Sequence, residues 1–376
     1  MPCYIQRVKF DLVIFHTLFF SSRHDSRSFR FMMDKASPVA QLDAVKVVIP
    51  QDEFINAEIV NEFINRFGID AIFSVQPESE WPRIYRTVDR SRVRIYRVLT
   101  GYLDRTRVGK IGRFRNKTGH RSIDLGYRTA GRPPAWFGRH GLMKQRIADV
   151  FASRANKVGL KIDISTSGAD TLLGDDWYRF LCRCKYTLGV EGGTSILDFD
   201  GSIKRKTEEY FARNPQATFE EIEKACFPDM DGHFQGFVIS PRHLESCAAK
   251  TCQVLIEGHY SGILSPGKHY VEVKRDFSNV DDVLEVIRRD DLRVQITEAA
   301  YTDIVESGKH TYENFVDFVI EKSLGASLGS KDGGFFNRLV TTAIHNWMRG
   351  MTWIDRLFVI AMVRVVSPLR QRLARR

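Results

Sequence analysis

Four residues suited to binding a nucleotide diphosphate follow one short apolar segment, 237–239. They are Ser240, Pro241, Arg242 and Glu245. Arginine pairs with phosphate oxygens, and the start of a helix directs unpaired N–H groups and a positive dipole end at an anion. A carboxylate one helical turn further on can accept hydrogen bonds from ribose hydroxyls. The pattern predicts a nucleotide site, and the alternatives are a surface charge for Arg242 and a solvated helix carboxylate for Glu245.

These residues need particular elements to position them. The apolar segments 237–239 and 253–256 are typical of buried parallel strands, and residues 242–250 between them are predicted to form a short helix. In open parallel sheets, ligands bind at the carboxyl ends of the strands. The sequence therefore predicts that the nucleotide site lies at one such edge.

Three segments resemble one known family. Residues 189–201 read Gly-Val-Glu-Gly-Gly-Thr-Ser-Ile-Leu-Asp-Phe-Asp-Gly, residues 239–245 read Ile-Ser-Pro-Arg-His-Leu-Glu, and residues 257–264 read Glu-Gly-His-Tyr-Ser-Gly-Ile-Leu. Together they resemble bacterial glycosyltransferases with a GT-B fold, of the CgeB-like spore-maturation-protein type. The resemblance covers residues 121–319. It implies an α/β fold with two Rossmann-like, doubly wound parallel sheets facing a cleft, in which the later domain binds the nucleotide-sugar donor and the earlier one the acceptor.

The resemblance also implies roles for individual residues. Glu245 matches the glutamate that holds the donor ribose. Arg128 and Lys144 resemble the basic pair that holds the donor diphosphate, and the alternative is two unrelated surface charges. Many retaining members carry another glutamate at or next to the position of Phe237, so this departure leaves the stereochemical outcome open.

Further donor-side candidates follow predicted strands. Gly192 and Gly193 let the backbone come close to a ligand, and Ser195 with the next helix supplies hydrogen-bond donors. Glu191 either faces the sugar or caps the following helix. Glu257 is either a ligand residue or part of a turn at a strand end.

Two first-domain residues are candidates for the catalytic base. His16 ends a predicted strand over residues 11–16, and Asp52 follows the next strand, 45–50. A histidine or a carboxylate at the cleft could take the proton of an acceptor hydroxyl. The alternative for His16 is a histidine satisfied in or near the core.

The chain of 376 residues is long enough for two domains. We expect a short acceptor-side Rossmann-like domain over residues 1–118, a nucleotide-sugar domain over 119–324, and a hinge with basic amphipathic helices over 325–376. Residues 112–119 are basic and lack an apolar period, which is typical of a linker.

The net charge of +10 favours anionic partners, namely sugar nucleotides, phospholipid headgroups or nucleic acid. Nucleic acid is not expected, because no aromatic-plus-basic RNA motif is present. The six cysteines lack metal-ligand spacing and indicate reduced thiols of a cytoplasmic protein. No cofactor or metal is expected, since basic side chains and helix dipoles neutralise the leaving diphosphate in GT-B enzymes.

The apolar residues 10–20 are interrupted by Asp11 and His16 and are predicted to form a buried strand. The tail from Phe335 onward combines apolar stretches with arginines. It is typical either of a helix packing across the two domains or of an amphipathic segment on the inner, anionic face of the cell membrane.

The combined interpretation is a glycosyltransferase that moves a sugar from a nucleotide donor to a hydroxyl of a cell-surface glycan, a lipid-linked saccharide or a secondary metabolite. The alternative is a non-catalytic GT-B relative that binds a nucleotide sugar or a glycan.

Overall fold

The computed structural model describes residues 9–131 and 133–325. Within these residues the chain forms two parallel sheets, each flanked by helices, and one short antiparallel ribbon. The expected α/β class with two Rossmann-like parallel sheets is confirmed. The predicted tail from Phe335 lies outside the described residues, as does Cys3.

The first sheet has the sequential order β1-β2-β3-β4, and all of its strand pairs are parallel. Its strands are β1 (Leu12–Phe15), β2 (Val45–Val48), β3 (Ala71–Ser74) and β4 (Arg94–Arg97). Right-handed crossovers in a sequential order place every connecting helix on the same face of the sheet. The opposite face therefore needs a cover from elsewhere in the chain.

The helices of this half are α1 (Thr17–Phe20), α2 (Ser26–Ala36), α3 (Ala57–Phe67), α4 (Trp81–Ile84) and α5 (Arg105–Thr118). The buried face of α3 includes Phe63 and Phe67, and the helix ends at Gly68, whose φ of 60° suits the left-handed C-cap. Phe63 packs edge-on against Phe15 of β1, with ring centroids 4.8 Å apart.

The second sheet has the order β6-β5-β7-β10-β11, again with parallel pairs throughout. Its strands are β5 (Ile123–Arg128), β6 (Ile162–Ser165), β7 (Cys184–Gly189), β10 (Cys252–Ile256) and β11 (Val271–Val273). In order of sequence this is the doubly wound arrangement 2-1-3-4-5, and its reversal falls between β5 and β7.

The helices of this half are α6 (Gly138–Ala155), α7 (Asp175–Arg183), α8 (Ser202–Arg213), α9 (Phe219–Cys226), α10 (Pro241–Ala248), α11 (Val280–Ile287), α12 (Asp290–Ala300) and α13 (Tyr312–Leu324). Helix α9 begins with a capping box, in which Thr218 and Glu221 satisfy each other's backbone N–H groups. A π-helical turn, Tyr301–Glu306, follows α12.

Two predicted elements differ from the structure. Residues 112–118, predicted as linker, belong to α5, whose Ile111 is buried in one cluster with Leu181 and Leu244. The apolar residues are too few in this basic helix to give a visible period, and packing on the second domain stabilises it instead.

The segment 237–239 is not a strand of the parallel sheet. Strand β9 (Gly236–Val238) pairs antiparallel with β8 (Gly192–Thr194). A short apolar run cannot by itself report which strand it will pair with. Only residues 252–256 of the predicted strand pair join the central sheet, as β10.

Parts of the chain beyond residue 190 pack against the first sheet. The insertion that carries α8 and α9 buries Ile203, Phe219 and Phe227 in the same cluster as Phe63. Its entry is anchored by the Asn56 backbone N–H, which donates to the carbonyl of Asp198 at 2.8 Å. The insertion thus shares a hydrophobic core with the first sheet.

Helix α13 covers the face of the first sheet that the crossovers leave open. Val319 is buried against this face, and Phe318 packs edge-on against Phe73 of β3 and Tyr96 of β4 at 6.1 and 6.0 Å. The chain therefore returns to its first sheet after completing the second.

Candidate functional site

A cavity of about 400 Å³ lies at the carboxyl ends of β5 and β7. This is where the strand order reverses, so the connections from the two strands leave in opposite directions and open a crevice between them. Tyr127 and Arg128 line one side, Gly189 and Val190 the other. The cavity lies at the carboxyl edge of the second sheet, and its use as a nucleotide site stays a prediction.

The start of α10 forms one wall of the cavity. Ser240 is its N-cap, and the Ser240 hydroxyl accepts a hydrogen bond from the Arg242 backbone N–H at 3.4 Å. Pro241 occupies the first helical position, where its missing N–H costs nothing. Ser240, Arg242 and His243 all line the cavity, so the positive end of the helix dipole lies at it.

Lys144 of α6 lines the same cavity and is half-buried. Its ammonium makes no hydrogen bond or ion pair with any described residue. Burial lowers the pKa of Lys144, the nearby charge of Arg242 lowers it further, and the Asp52 carboxylate raises it. An anion placed between Lys144 and Arg242 would relieve this concentration of positive charge.

Arg242 is exposed at the mouth of the cavity. One of its Nη atoms donates to the carbonyl of Arg128 at 2.7 Å, and its guanidinium lies 5.1 Å from the centroid of the Trp177 ring. It has no carboxylate partner among the described residues. Its remaining donors are therefore available to a ligand.

Arg128 also lines the cavity, but its guanidinium is already engaged. It donates to the carbonyl of Asp163 at 2.8 Å and to the Asp163 carboxylate at 2.6 Å. The guanidinium also stacks over Phe180 at 4.4 Å from the ring centroid. Of the predicted pair, Lys144 carries the unpaired charge, and Arg242 rather than Arg128 is the second free cation.

Glu245 is half-buried behind the cavity wall. Its carboxylate accepts hydrogen bonds from the Trp177 indole N–H at 2.8 Å and from the Tyr178 hydroxyl at 3.3 Å. Desolvation raises the pKa of Glu245. In this structure the carboxylate fixes Trp177, which lines the cavity, and ribose binding by Glu245 stays a prediction.

The two predicted glycines have different roles. Gly192 lines the cavity, and a Cβ there would meet the Val238 carbonyl at an ordinary 3.6 Å. Gly193 has a φ of 95°, and a Cβ at this residue would collide with the Gly236 carbonyl oxygen. A glycine is therefore required at residue 193 by the pairing of β8 with β9, and not by the close approach of a ligand to the backbone.

The Ser195 side chain lies at the start of α6. Its hydroxyl donates to the Asp231 carboxylate at 2.5 Å and accepts from the His140 backbone N–H at 3.3 Å. Asp231 also accepts from the Arg139 backbone N–H at 3.2 Å. The two side chains together cap α6.

Glu191 is buried and acts as a cap. Its carboxylate accepts from the backbone N–H groups of Tyr260 at 2.6 Å and His259 at 3.2 Å, at the start of the 3-10 turn Tyr260–Gly262. It caps this later turn and not the helix directly after it. Desolvation raises the pKa of Glu191. Glu257 is exposed just after β10.

The two base candidates lie in different settings. His16 is exposed, and its Nδ1 accepts the Leu18 backbone N–H at 3.3 Å as the N-cap of α1. Asp52 lies in the loop between β2 and α3, and its carboxylate raises the pKa of Lys144. Phe54 of the same loop packs on Phe137, which lines the cavity, with ring centroids 5.6 Å apart. Asp52 does not itself line the cavity, so its role as the base stays a prediction, as does that of His16.

Several residues near the site escaped the sequence reasoning. His243 is buried in the cavity wall, with Nδ1 2.9 Å from the Gln253 side-chain oxygen and Nε2 3.3 Å from the Val190 carbonyl. Burial lowers the pKa of His24, and the charge of Asp52 raises it. Trp177 had no signal, since a tryptophan on a predicted helix usually belongs to the core.

No group of three or more potential metal ligands occurs within residues 9–131 and 133–325. The closely spaced acids Asp198 and Asp200 both serve the start of α8. The Asp198 carboxylate accepts from the Ile203 and Lys204 backbone N–H groups, and Asp200 accepts from that of Ser202. In the same part of the chain, no helix is both long and apolar enough to cross a membrane.

No protein-family model and no curated protein sequence matches the chain. Similar solved structures include HepE of Anabaena in complex with UDP-glucose, with 10% identity, a TM-score of 0.44 and coverage of 83% of this chain and 78% of that one. An α,α-trehalose-phosphate synthase of Burkholderia xenovorans that forms UDP shows 11% identity, a TM-score of 0.43 and coverages of 82% and 72%. TarM shows 11% identity, a TM-score of 0.42 and coverages of 86% and 57%. All of these TM-scores are below 0.5, so these similarities carry no weight for the chemistry of this chain.

Proposed function

We propose that the protein is a GT-B-like glycosyltransferase that takes a sugar from a nucleotide diphosphate donor. The observation that carries this proposal is a pair of cations without counter-ions at the strand-order reversal, Lys144 of α6 and Arg242 in the first turn of α10. A diphosphate supplies the missing negative charge at a place where doubly wound sheets bind nucleotides. The resemblance of residues 189–201, 239–245 and 257–264 to CgeB-like enzymes supports the same assignment.

In this proposal the acceptor approaches from the first domain. Asp52 takes the proton of the acceptor hydroxyl while the oxygen of that hydroxyl forms a bond to the anomeric carbon of the donor sugar. The bond from that carbon to the diphosphate oxygen breaks, and the leaving diphosphate keeps the electron pair. Lys144, Arg242 and the α10 dipole stabilise the charge that develops on it, so the reaction is proposed to run without a metal.

The Glu245 carboxylate and Gly192 are assigned to the nucleoside and sugar side of the donor. The acceptor class is proposed to be a glycan, a lipid-linked saccharide or a secondary metabolite. A basic C-terminal sequence after Phe335 supports peripheral contact with anionic membrane from the cytoplasmic side. Flotation of the full chain with phosphatidylglycerol vesicles, with and without residues after Gly334, tests that contact.

The first test is nucleotide binding by the unpaired lysine. Lys144→Met should weaken UDP binding about 10- to 100-fold, because one charge-assisted hydrogen bond contributes about 1.5–3 kcal/mol. Isothermal titration calorimetry with UDP, GDP and dTDP measures the loss. Lys157→Met, at an exposed lysine just after α6, is the matched control and should bind as the wild type does.

The second test is turnover of a panel of UDP-, GDP- and dTDP-sugars. The alternative function, a non-catalytic binding relative, is favoured by Phe237, which stands where many retaining relatives carry a glutamate and stacks on His140 at 4.0 Å. Nucleotide binding without hydrolysis or transfer of any donor would support that alternative. Equal UDP affinity in Lys144→Met and wild type would contradict the proposed donor site itself.

A further inference from the structure

We propose that Arg23 is a positioning residue that holds the loop carrying Asp52 beside the donor cavity. This inference rests on the proposed function, because it concerns the proposed base. Arg23 belongs to the 3-10 turn Ser21–His24 after α1 and is only 1% exposed. It does not line the donor cavity, so any effect on the reaction has to pass through other residues.

The guanidinium of Arg23 holds one loop by its backbone. Nη1 donates to the carbonyls of Phe20 and Pro50, both at 3.0 Å. Nη2 donates to the carbonyl of Asp52 at 2.8 Å and to that of Gln51. Three consecutive carbonyls of the loop between β2 and α3 therefore converge on one planar group.

That loop has an unusual backbone. Gln51 and Asp52 both have a φ of 48°, in the left-handed region that non-glycine residues seldom adopt. Asn56, with a φ of 49°, closes the loop by donating its side-chain amide to the Arg23 carbonyl at 2.7 Å. Such conformations persist only where the surroundings over-determine them, and they cluster at functional sites.

The charge of Arg23 is balanced inside the same network. The negative charges of Asp52 and, next, of Glu53 act on Arg23. Glu53 is 1% exposed, and its carboxylate accepts the Tyr85 hydroxyl at 2.9 Å. Buried charges are a poor source of stability compared with apolar packing of the same volume. Holding carbonyls in a defined geometry is something that apolar residues cannot do.

The result of this geometry is the placement of the Asp52 carboxylate. The carbonyls of residues 50–52 turn inward to Arg23, and Phe54 of the same loop packs on Phe137 of the cavity lining at 5.6 Å between ring centroids. The Asp52 carboxylate also raises the pKa of Lys144. A catalytic base must be within hydrogen-bond reach of its proton, and a displacement of about 1 Å can lower the rate about 100-fold. Arg23 would therefore set the rate of the reaction and leave donor affinity unchanged.

The test compares Arg23→Lys, Asp52→Asn and the double variant. Lysine keeps the charge but lacks the planar fork that holds three carbonyls. Arg23→Lys should lower kcat about 30- to 100-fold while the UDP Kd stays within about 2-fold. The double variant should be no slower than Asp52→Asn alone, because misplacing an absent base has no further effect. Arg66→Lys, at an exposed arginine paired with Asp34, is the control and should retain wild-type kcat.

A second readout does not need turnover. The Asp52 carboxylate raises the pKa of Lys144, so Asp52→Asn should shift amine labelling of Lys144 by an acylating reagent to lower pH, with Lys157 as internal reference. Arg23→Lys should shift it in the same direction. If wild type turns over no donor, the proposed function fails while this labelling still tests the placement.

The inference is overturned if Arg23→Lys leaves both kcat and the Lys144 labelling profile unchanged, or if its effect on kcat adds fully to that of Asp52→Asn. If Arg23→Lys fails to fold, Tyr85→Phe and Glu53→Gln replace it, because the Tyr85 hydroxyl binds the Glu53 carboxylate and the Glu53 charge acts on Arg23. Either variant should then reproduce the loss of kcat at constant UDP Kd, and wild-type kcat in both would also overturn the inference.

Discussion

His243 illustrates at the residue scale how the cavity controls a titratable group. The ring is buried between Gln253 and the Val190 carbonyl, and burial lowers its pKa from 6.5 to about 4. At neutral pH the ring is therefore uncharged and adds no further positive charge beside Lys144 and Arg242. The cationic character of the cavity comes from the two longer side chains and the helix.

This lowered pKa predicts a pH-dependent stability. Between pH 6.5 and 4 the unfolded chain binds a proton at His243 and the folded chain does not, so stability falls as the pH drops through this range. From about pH 7.5 to about pH 5 the group should remove about 2 kcal/mol from the free energy of unfolding. Urea unfolding of wild type and His243→Gln at both pH values measures the difference, which the variant should lack.

Buried carboxylates change the stability with pH in the opposite direction to His243. The quantity that tests the prediction is therefore the difference in pH dependence between wild type and His243→Gln. Burial raises the pKa of Glu53 and Glu191, and their contributions fall as the pH rises above the ordinary carboxyl range. They are present in both proteins and cancel. His16→Gln, at an exposed histidine, is the control, and an equal pH dependence in wild type and His243→Gln would contradict the prediction.

At the scale of elements, the ribbon formed by β8 and β9 places the start of α10. Gly193 allows the two strands of the ribbon to pair, because its φ is 95° and the Gly236 carbonyl oxygen occupies the space that a Cβ would need. Strand β9 leads directly into Ser240, the cap of α10. A change in the ribbon should therefore reach the donor cavity.

Gly193→Ala should destabilise the protein by more than about 3 kcal/mol and abolish UDP binding, because the methyl group collides with backbone that cannot rotate away. Gly159→Ala is the matched control. Gly159 also has a positive φ, 75°, but nothing lies within 4 Å of its Cβ position. This control should lose only about 1 kcal/mol and keep UDP binding. Equal losses in the two variants, measured by chemical unfolding, would exclude the collision as the cause.

At the scale of the whole molecule, α13 ties the end of the described chain to its beginning. The sequential order of the first sheet leaves one face without crossover helices, and Phe318 and Val319 cover Phe73 on that face. The predicted boundary at residue 324 therefore comes directly after a helix that packs on the first sheet.

Phe318→Ala should lower the free energy of unfolding by about 2–4 kcal/mol, since a partly buried aromatic side chain is removed. Hydrogen exchange should accelerate in β2 and β3 more than in β5 and β7, because the contact belongs to the first sheet. Val316→Ala on the exposed side of α13 serves as control and should change neither quantity by much. Uniform acceleration in both sheets would show that α13 does not stabilise the first sheet selectively.

The sequence by itself determined the alternation of strands and helices, the α/β class and the candidate segment around Ser240 and Arg242. These features depend on local signals, namely apolar period, helix caps and glycine stops, which act over a few neighbouring residues. The same signals placed Asp52 among the candidates, because it follows a predicted strand, whereas Lys144 became a candidate through the resemblance to GT-B enzymes.

Only the tertiary structure decided which of those candidates meet. Arg128 is not available to a ligand, because its guanidinium pairs with Asp163 on a neighbouring strand. Strand β9 pairs with β8 in a ribbon and does not join the parallel sheet. Arg23 gave no local signal, since its partners lie 27 to 29 residues away in the loop after β2. Pairing between residues distant in the chain depends on the packed geometry of the elements, and a one-dimensional pattern carries no record of it.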